Sequence, residues 1–314
     1  MDKLGFITYL EGKEIIASSI PRYIKHIEEF LEYVKKEDIQ ITKPDILRYL
    51  EYLKNSRKVQ NITRQKYLIV LNHYFTFLYQ DGQTSTNPCW TLKIRGTQKK
   101  NLYRIYTPEE LETLFDNYYQ LFVRGYDADH MPKSQQQYAV LCKYRNALIL
   151  NILVYQGTTT GEIDKIETDD LDLIKATLKI RGGRIGNARI LPLKATQIGL
   201  FIHYLQNIRP QLLEYHTTES NKLFLSLPAI GKKTTAKNDL MNVFKPLAKQ
   251  VRSIDKKFLN YNQLRASVIT SWLKTQGLRK AQYLAGHRYI CCTERYITNN
   301  LDGLTEDINK LHPF

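Results

Sequence analysis

Apolar residues near the start of the chain recur at the three-and-four spacing of amphipathic helices. Ile20-Pro21 precede Tyr23, Ile24, Ile27, Phe30, Leu31 and Val34, one face of a first helix. Thr42 is placed to cap a second, with Pro44 in its first turn and Ile46, Leu47, Leu50 and Leu53 behind it. A third runs from about Ile62 to Tyr79, is rich in aromatics (Tyr67, Tyr74, Phe75, Phe77, Tyr79), and stops at Asp81-Gly82. About four helices with short connections predict a bundle over residues 1–86.

The pattern then breaks. Thr84, Ser85 and Thr86 lead into Asn87-Pro88, and residues 87–106 read as a linker. Thr107-Pro108-Glu109-Glu110 opens a new helix, with a cap, a proline and carboxylates in the first turn. Arg124 to Ser134 reads as a polar loop, and Tyr138 to Tyr155 as a strongly apolar helix. Thr177 to Leu193 alternates as TLKI and ILPL around Arg181–Asn187, which predicts a hairpin. Asn262-Gln263-Leu264-Arg265 opens a helix carrying Val268, Ile269, Trp272 and Leu273. Leu278 to Ala285 is helical in pattern with Gly286 as its C-cap, His287 falls in a short loop, and Cys292 to Thr298 is again helical, with Tyr296 on it.

Composition narrows the class. With 43% apolar residues the 314-residue chain is globular, and its length suits two domains. No run approaches ~18 consecutive apolar residues, so a membrane span is not expected. MDKLGFITYLEGKE lacks the apolar run of a secretory signal. Cys89, Cys142, Cys291 and Cys292 form no CxxC pair, so neither a disulfide framework nor a cysteine metal site is expected, and a reduced, cytoplasmic setting fits.

A net charge of +15 and a pI near 9.4 point to a polyanionic partner, although ribosome-associated and membrane-surface proteins are basic too. Placement says more. Thr84 to Tyr106 carries Lys93, Arg95, Lys99, Lys100 and Arg104 with no acidic residue. Ile174 to Gln197 carries Lys175, Lys179, Arg181, Arg184, Arg189 and Lys194, again with none. Solvated faces mix both signs, so one-sign stretches favour a phosphate-facing surface. Asp169, Asp170 and Asp172 could suggest a two-metal nuclease, but such a cluster more often makes a solvated turn before a strand, and no metal is expected.

The order NQLR (262–265), LAGH (284–287) and TERYI (293–297) resembles the tyrosine recombinase, or phage integrase, family: an HxLR-like box, a long helix, LGH in a loop, and a tyrosine nine residues after that histidine. GTTTGEI (157–163) stands where the family commonly shows G-L-R-x-S-E-L, and the basic hairpin follows. The resemblance implies a mostly α protein with a small β-sheet (α+β). A helical, SAM-like core-binding domain (1–86) and the linker (87–106) would precede a mainly helical catalytic domain with a small antiparallel sheet (107–300) and a tail (301–314).

It further implies strand cleavage and rejoining through a 3′-phosphotyrosyl bond on Tyr296, without ATP, metal or other cofactor. A phosphodiester gains negative charge in its pentacoordinate transition state, and guanidinium groups match its oxygens through paired, charge-assisted hydrogen bonds. Arg265 is the expected clamp and His287 a hydrogen-bond donor or proton manager. The plainer alternatives are a packed tyrosine among 22, a backbone-contacting arginine, and a histidine that caps a helix.

Three positions depart from the family. Thr159 falls where its first arginine stands, Asn262 replaces a histidine but can still donate from its amide, and Ala266 stands where a second histidine is common. The hairpin's usual lysine aligns best with Arg184, with Lys179 and Arg181 as further candidates. Losing one clamp would cost ~2–4 kcal/mol of transition-state stabilisation, so compensation by Arg184 or Arg145 is expected. Glu162 reads as structural. Lys93, Arg95, Lys99, Lys100 and Arg104 are the expected DNA contacts outside the site.

The expected partners are double-stranded DNA, sister protomers (a tetramer on two DNA sites) and accessory DNA-bending proteins, with no membrane, in a nucleoid-associated, mobile-element setting. The tail LDGLTEDINKLHPF, with Leu301, Leu304, Ile308 and Leu311 in a stripe, either docks on a neighbouring protomer or folds back. Two other readings share the sequence pattern: a catalytically weakened accessory DNA-binding protein, and a type IB topoisomerase-like relaxing enzyme.

Overall fold

Helix caps set the boundaries of the N-terminal elements. In the computed structural model, which describes residues 1–96, 103–129, 131–183, 186–217, 219–227 and 240–297, Thr42 and Asp45 form a capping box with Pro44 behind the cap. That box starts α3 (Lys43–Asn55), which follows α1 (Lys3–Gly12) and α2 (Ile20–Val34) and precedes α4 (Asn61–Gln80). Asp81 closes α4, and Gly82 takes a positive φ of 74° there. The four helices turn Phe6, Phe30, Tyr49, Leu53, Tyr74 and Phe75 into one buried cluster.

The chain divides into two units, Met1–Asn101 and Leu102–Phe314. Residues from 87 to 96, read from sequence as the start of a linker, pack on the first unit. Cys89 is buried in its core, with Leu92 and Ile94 against it. Asn87 donates to Asn72 Oδ1 at 3.0 Å and accepts from Cys89 N at 2.7 Å. Apolar side chains between the basic ones hold the segment down while Lys93 and Arg95 stay exposed.

In the second unit the Thr107 capping box starts α5 (Pro108–Tyr119). A π-type turn, Gln120–Arg124, extends it into the stretch expected to be a polar loop. Next come α6 (Lys133–Gln156) and α7 (Thr160–Ile163). The sheet comprises β1 (Leu171–Asp172), β2 (Thr177–Ile180) and β3 (Arg189–Pro192), antiparallel in that order. Leu178 opposes Leu191, and Ile180 opposes Arg189. Then follow α8 (Ala195–His203), α9 (Arg209–Leu213), α10 (Met241–Ile254), α11 (Tyr261–Ala285) and α12 (Ile290–Glu294).

The unit's core gathers Ile149, Leu150, Ile152 and Leu153 of α6 with Phe201, Phe224, Phe258 and Leu264. Gly277, at φ 78°, kinks α11 between the two helical patterns read from the sequence. The fold is thus mostly α with a small antiparallel sheet, as expected. Among the described residues, no helix is long and apolar enough to cross a membrane.

Candidate active site

Arg265 sits in the first turns of α11, almost wholly buried. Its Nη1 donates to Gly157 O at 2.6 Å and its Nη2 to Ala285 O at 2.7 Å. Both carbonyls lie at the C-terminal ends of helices, α6 and α11. Such ends carry unpaired acceptors and partial negative charge, which a guanidinium satisfies. Both helices close on a glycine of positive φ, Gly157 at 54° and Gly286 at 69°. Arg265 therefore ties GTTTGEI to LAGH. Burial lowers its proton affinity, opposed by the neighbouring Glu162 and Tyr296.

His287 follows Gly286. Its Nε2 lies 3.3 Å from Arg265 Nη2, and its Nδ1 lies 2.9 Å from Thr293 Oγ1. Guanidinium nitrogens only donate, so Nε2 accepts, and the ring proton sits on Nδ1, pointing at Thr293. Burial, then the charges of Arg265 and Arg189, hold the imidazole neutral with a pKa of about 4. The Tyr296 ring stacks on it, with centroids 5.7 Å apart and planes at 14°. Tyr296 does not lie on a helix as expected. Helix α12 ends at Glu294, and Tyr296 follows in a turn whose N–H donates to Thr293 O at 3.0 Å.

Glu162 and Arg189 complete the cluster. Thr159 caps α7, and its N–H and hydroxyl donate to Glu162 Oε2 at 2.8 and 3.0 Å. Arg189, the first residue of β3, donates Nη1 to Glu162 Oε1 at 2.7 Å and Nη2 to Oε2 at 3.2 Å. Arg265 Nη1 lies 3.8 Å from the same carboxylate. Burial pushes the Glu162 carboxyl up, but the Arg189 hydrogen bonds, its charge, Thr159 and Arg265 together hold it below the ordinary range. The sequence reading gave Arg189 no role at the site. Its signal was strand parity: Arg189 shares a face with Leu191, and both are buried.

The structure thus brings Arg265, His287 and Tyr296 together, joined by Glu162, Arg189 and Thr159. Asn262 is exposed, one turn before Arg265. Arg145, expected as a compensating cation, is buried elsewhere, donating to Leu225 O at 2.8 Å and to Asn146 Oδ1 at 3.0 Å. Arg181 is paired with Glu167 at 2.7 Å and Asp170 at 2.9 Å, which also explains part of the acidic cluster. Asp172 caps the following turn through Ile174 N and Lys175 N. Among the described residues no group of acidic, histidine and cysteine side chains could hold a metal.

Lys179 is exposed on β2, opposite Ile190. The hairpin loop docks on the histidine loop, with Asn187 N donating to Gly286 O at 2.9 Å and Gly186 paired with His287. Arg104 is ion-paired with Glu110 at 2.9 Å. Arg184, Lys99, Lys100 and the tail 301–314 lie outside the described residues.

The phage integrase family model matches residues 131–302. A tyrosine recombinase XerC of Natranaerobius thermophilus is 26% identical over 320 residues, spanning 99% of this chain and 98% of that one. A tyrosine recombinase XerD of Staphylococcus haemolyticus is 34% identical over 171 residues, 54% of this chain and 55% of that one. Among solved structures, the XerH site-specific recombinase bound to a palindromic difH substrate in a post-cleavage complex aligns with a TM-score of 0.67 at 19% identity. That alignment covers 93% of this chain and 79% of the other. A lambda integrase dimer bound to a COC′ core site gives 0.59 at 12% identity, over 92% of this chain and 94% of the other. At these identities the structural likeness is one of fold.

Proposed function

This chain belongs to the phage integrase family of tyrosine recombinases, and from that premise we propose that it is a site-specific DNA recombinase acting through Tyr296. The Tyr296 oxygen attacks the scissile phosphorus, a 3′-phosphotyrosyl bond forms, and the 5′-oxygen leaves with a proton. The bond energy stays in the intermediate, so a 5′-hydroxyl from a second strand can reverse the step on a new partner.

One observation carries the reading. The kink in α11 and the loop after it bring a guanidinium, an imidazole and a phenol together, with Arg265 3.3 Å from His287 and Tyr296 stacked on the imidazole. Arg265 has further N–H groups beyond the two spent on carbonyls, and these are the donors for the phosphate oxygens. His287, neutral with an unprotonated Nε2, takes up the phenolic proton or, once protonated, donates to the phosphate. Asn262 adds an amide donor, and the hairpin cations Arg184 and Lys179 serve the leaving oxygen. Lys93, Arg95, Lys99, Lys100 and Arg104 hold the duplex backbone, and their contacts would make binding fall steeply with salt. Four protomers on two sites is the assembly that fits strand exchange, with the tail either docked on a neighbour or folded back.

The test uses a pool of nicked duplexes with randomised arms, in which the nick prevents religation and traps the intermediate. A covalent protein–DNA adduct that disappears in Tyr296→Phe supports the reading, and sequencing the trapped DNA supplies the site. A second reading, an accessory DNA-binding protein, is favoured by Thr159, whose hydroxyl is spent on Glu162 and which offers no charge. Sequence-selective binding with no adduct would establish it. An adduct that relaxes supercoils without recombinant product would point to a topoisomerase instead.

A further inference from the structure

A carboxylate beside a phosphate clamp is a chemical problem. Glu162 lies 3.8 Å from Arg265 Nη1, and it cannot leave, because it is fixed by the Thr159 N–H and hydroxyl as the cap of α7. Left alone, this anion would offset the charge of Arg265 and compete with a phosphate for its donors. Phosphate and carboxylate are rival ligands for one guanidinium. Thr159, the other side chain of the capping box, is uncharged.

Arg189 faces the same carboxylate from the opposite element. We propose that Arg189 is a positioning residue of the cleavage chemistry: it takes Glu162 in a two-bond pair and leaves Arg265 an unopposed cation for the scissile phosphate. This rests on the recombinase reading above.

Four observations support it. The pair is bidentate, at 2.7 and 3.2 Å, whereas Arg265 makes no hydrogen bond of comparable length to Glu162, only the 3.8 Å approach. The Arg189 side chain is fully buried, so it does not itself reach DNA and must act through Glu162. It is locked in place: a Cβ on Gly286 would overlap its Nη1 and come within 2.9 Å of its Cζ. The loop holding it there is the one that carries His287. Finally, its charge balances the cluster: with Arg189 the set Arg265, Arg189 and Glu162 is net +1, and without it the set is neutral.

The charge count makes the test sharp. Removing Arg189 alone leaves a neutral cluster. Removing Arg189 and Glu162 together restores net +1, the remaining ion being Arg265, which keeps the Gly157 and Ala285 carbonyls. The experiment measures single-turnover adduct formation at saturating DNA for wild type, R189M and E162Q/R189M, on a nicked duplex from the trapped pool. Each is repeated with a methylphosphonate, which lacks one anionic oxygen, at the scissile position. R189M should be about a hundredfold slower on the phosphate, as expected for loss of electrostatic stabilisation at a reacting phosphate. Its affinity for DNA should stay within about threefold, because Arg189 is buried.

The deficit should shrink to below about tenfold on the methylphosphonate, whose transition state needs less positive charge. The double variant should return to within about tenfold of wild type on the phosphate. A merely structural arginine would slow both substrates equally. The proposal is overturned if R189M matches wild type, or if its deficit is the same on both substrates. It is overturned too if the double variant melts like wild type yet remains about a hundredfold slow on the phosphate, an outcome readable even where R189M does not fold. Absence of any adduct with wild type would overturn the recombinase reading along with it, whereas a wild-type adduct with unaffected R189M would overturn this inference alone.

Discussion

Gly286→Ala should destabilise the second unit by more than backbone strain alone accounts for. Gly286 has φ 69° and ψ 25°, so a Cβ there costs about 1 kcal/mol of left-handed strain. At Gly286 the Cβ would stand 2.9 Å from Arg189 Cζ and 3.1 Å from Cδ. Arg189 has no exposed side-chain surface, so it cannot swing into solvent, and relief means loosening its pair with Glu162.

Breaking a buried ion pair costs about 3–5 kcal/mol, and a partial loosening about half of that. The sum for Gly286→Ala is therefore about 2.5–3.5 kcal/mol, against about 1 for the strain alone. Urea unfolding followed by far-UV circular dichroism measures the loss, with Arg189→Met as the reference for a fully lost pair. A loss of only about 1 kcal/mol, the strain alone, would refute the claim that Arg189 is wedged against the histidine loop.

Other outcomes follow from the same coordinates. Asp45 is buried and bonded to Lys36 and Thr42, which hold its carboxyl well below the usual range. Asp45→Asn should cost the first unit about 2–3 kcal/mol at neutral pH. Because the folded carboxyl is depressed, that contribution is present above pH ~4 and lost below it, so the two proteins should converge in acid denaturation scans. His287 should titrate near pH 4 by NMR in the DNA-free protein. Its folded pKa lies below the unfolded one, so this group costs stability as pH falls from ~6.5 towards that value, and a titration at the ordinary histidine value would contradict its buried, doubly cationic setting. Burial pushes the Cys89 thiol up to about 12, while Cys291 is exposed. Iodoacetamide at neutral pH should label Cys291 readily and Cys89 only after denaturation; mass mapping reads both.

Much of this site was legible because its determinants are local. Gly286 closes a helix and turns the chain at the next residue, so LAGH announced a loop carrying His287. The Thr42 and Thr107 boxes announced two helix starts, and TLKI with ILPL announced the hairpin. The parts that escaped depend on contacts between distant segments. Arg145 and Arg189 are both arginines in apolar surroundings, and only the fold shows that one reaches the Leu225 carbonyl while the other reaches Glu162.

The missing positive charge at Thr159 suggested a substitute cation facing the phosphate. What the structure shows beside Thr159 is a buried pair, with Arg189 engaged on the acid. Tyr296 left its expected helix because α12 is only five residues long and frays into a turn at Arg295, a boundary that periodicity does not resolve. Residues from 87 to 96 looked like a linker by composition, yet Cys89, Leu92 and Ile94 alternate with polar positions closely enough to dock on the bundle.

The most direct measurement is the chemical identity of the DNA-linked residue. The trapped adduct would be digested with nuclease and protease and the modified peptide sequenced by tandem mass spectrometry. A 3′-linked nucleotide remnant on Tyr296, absent when Arg265 is changed to alanine, is the predicted result. A remnant on any other residue, or an adduct on Tyr296 that forms as fast without Arg265, would contradict the assignment of phenol, guanidinium and imidazole to one phosphate-cleaving centre.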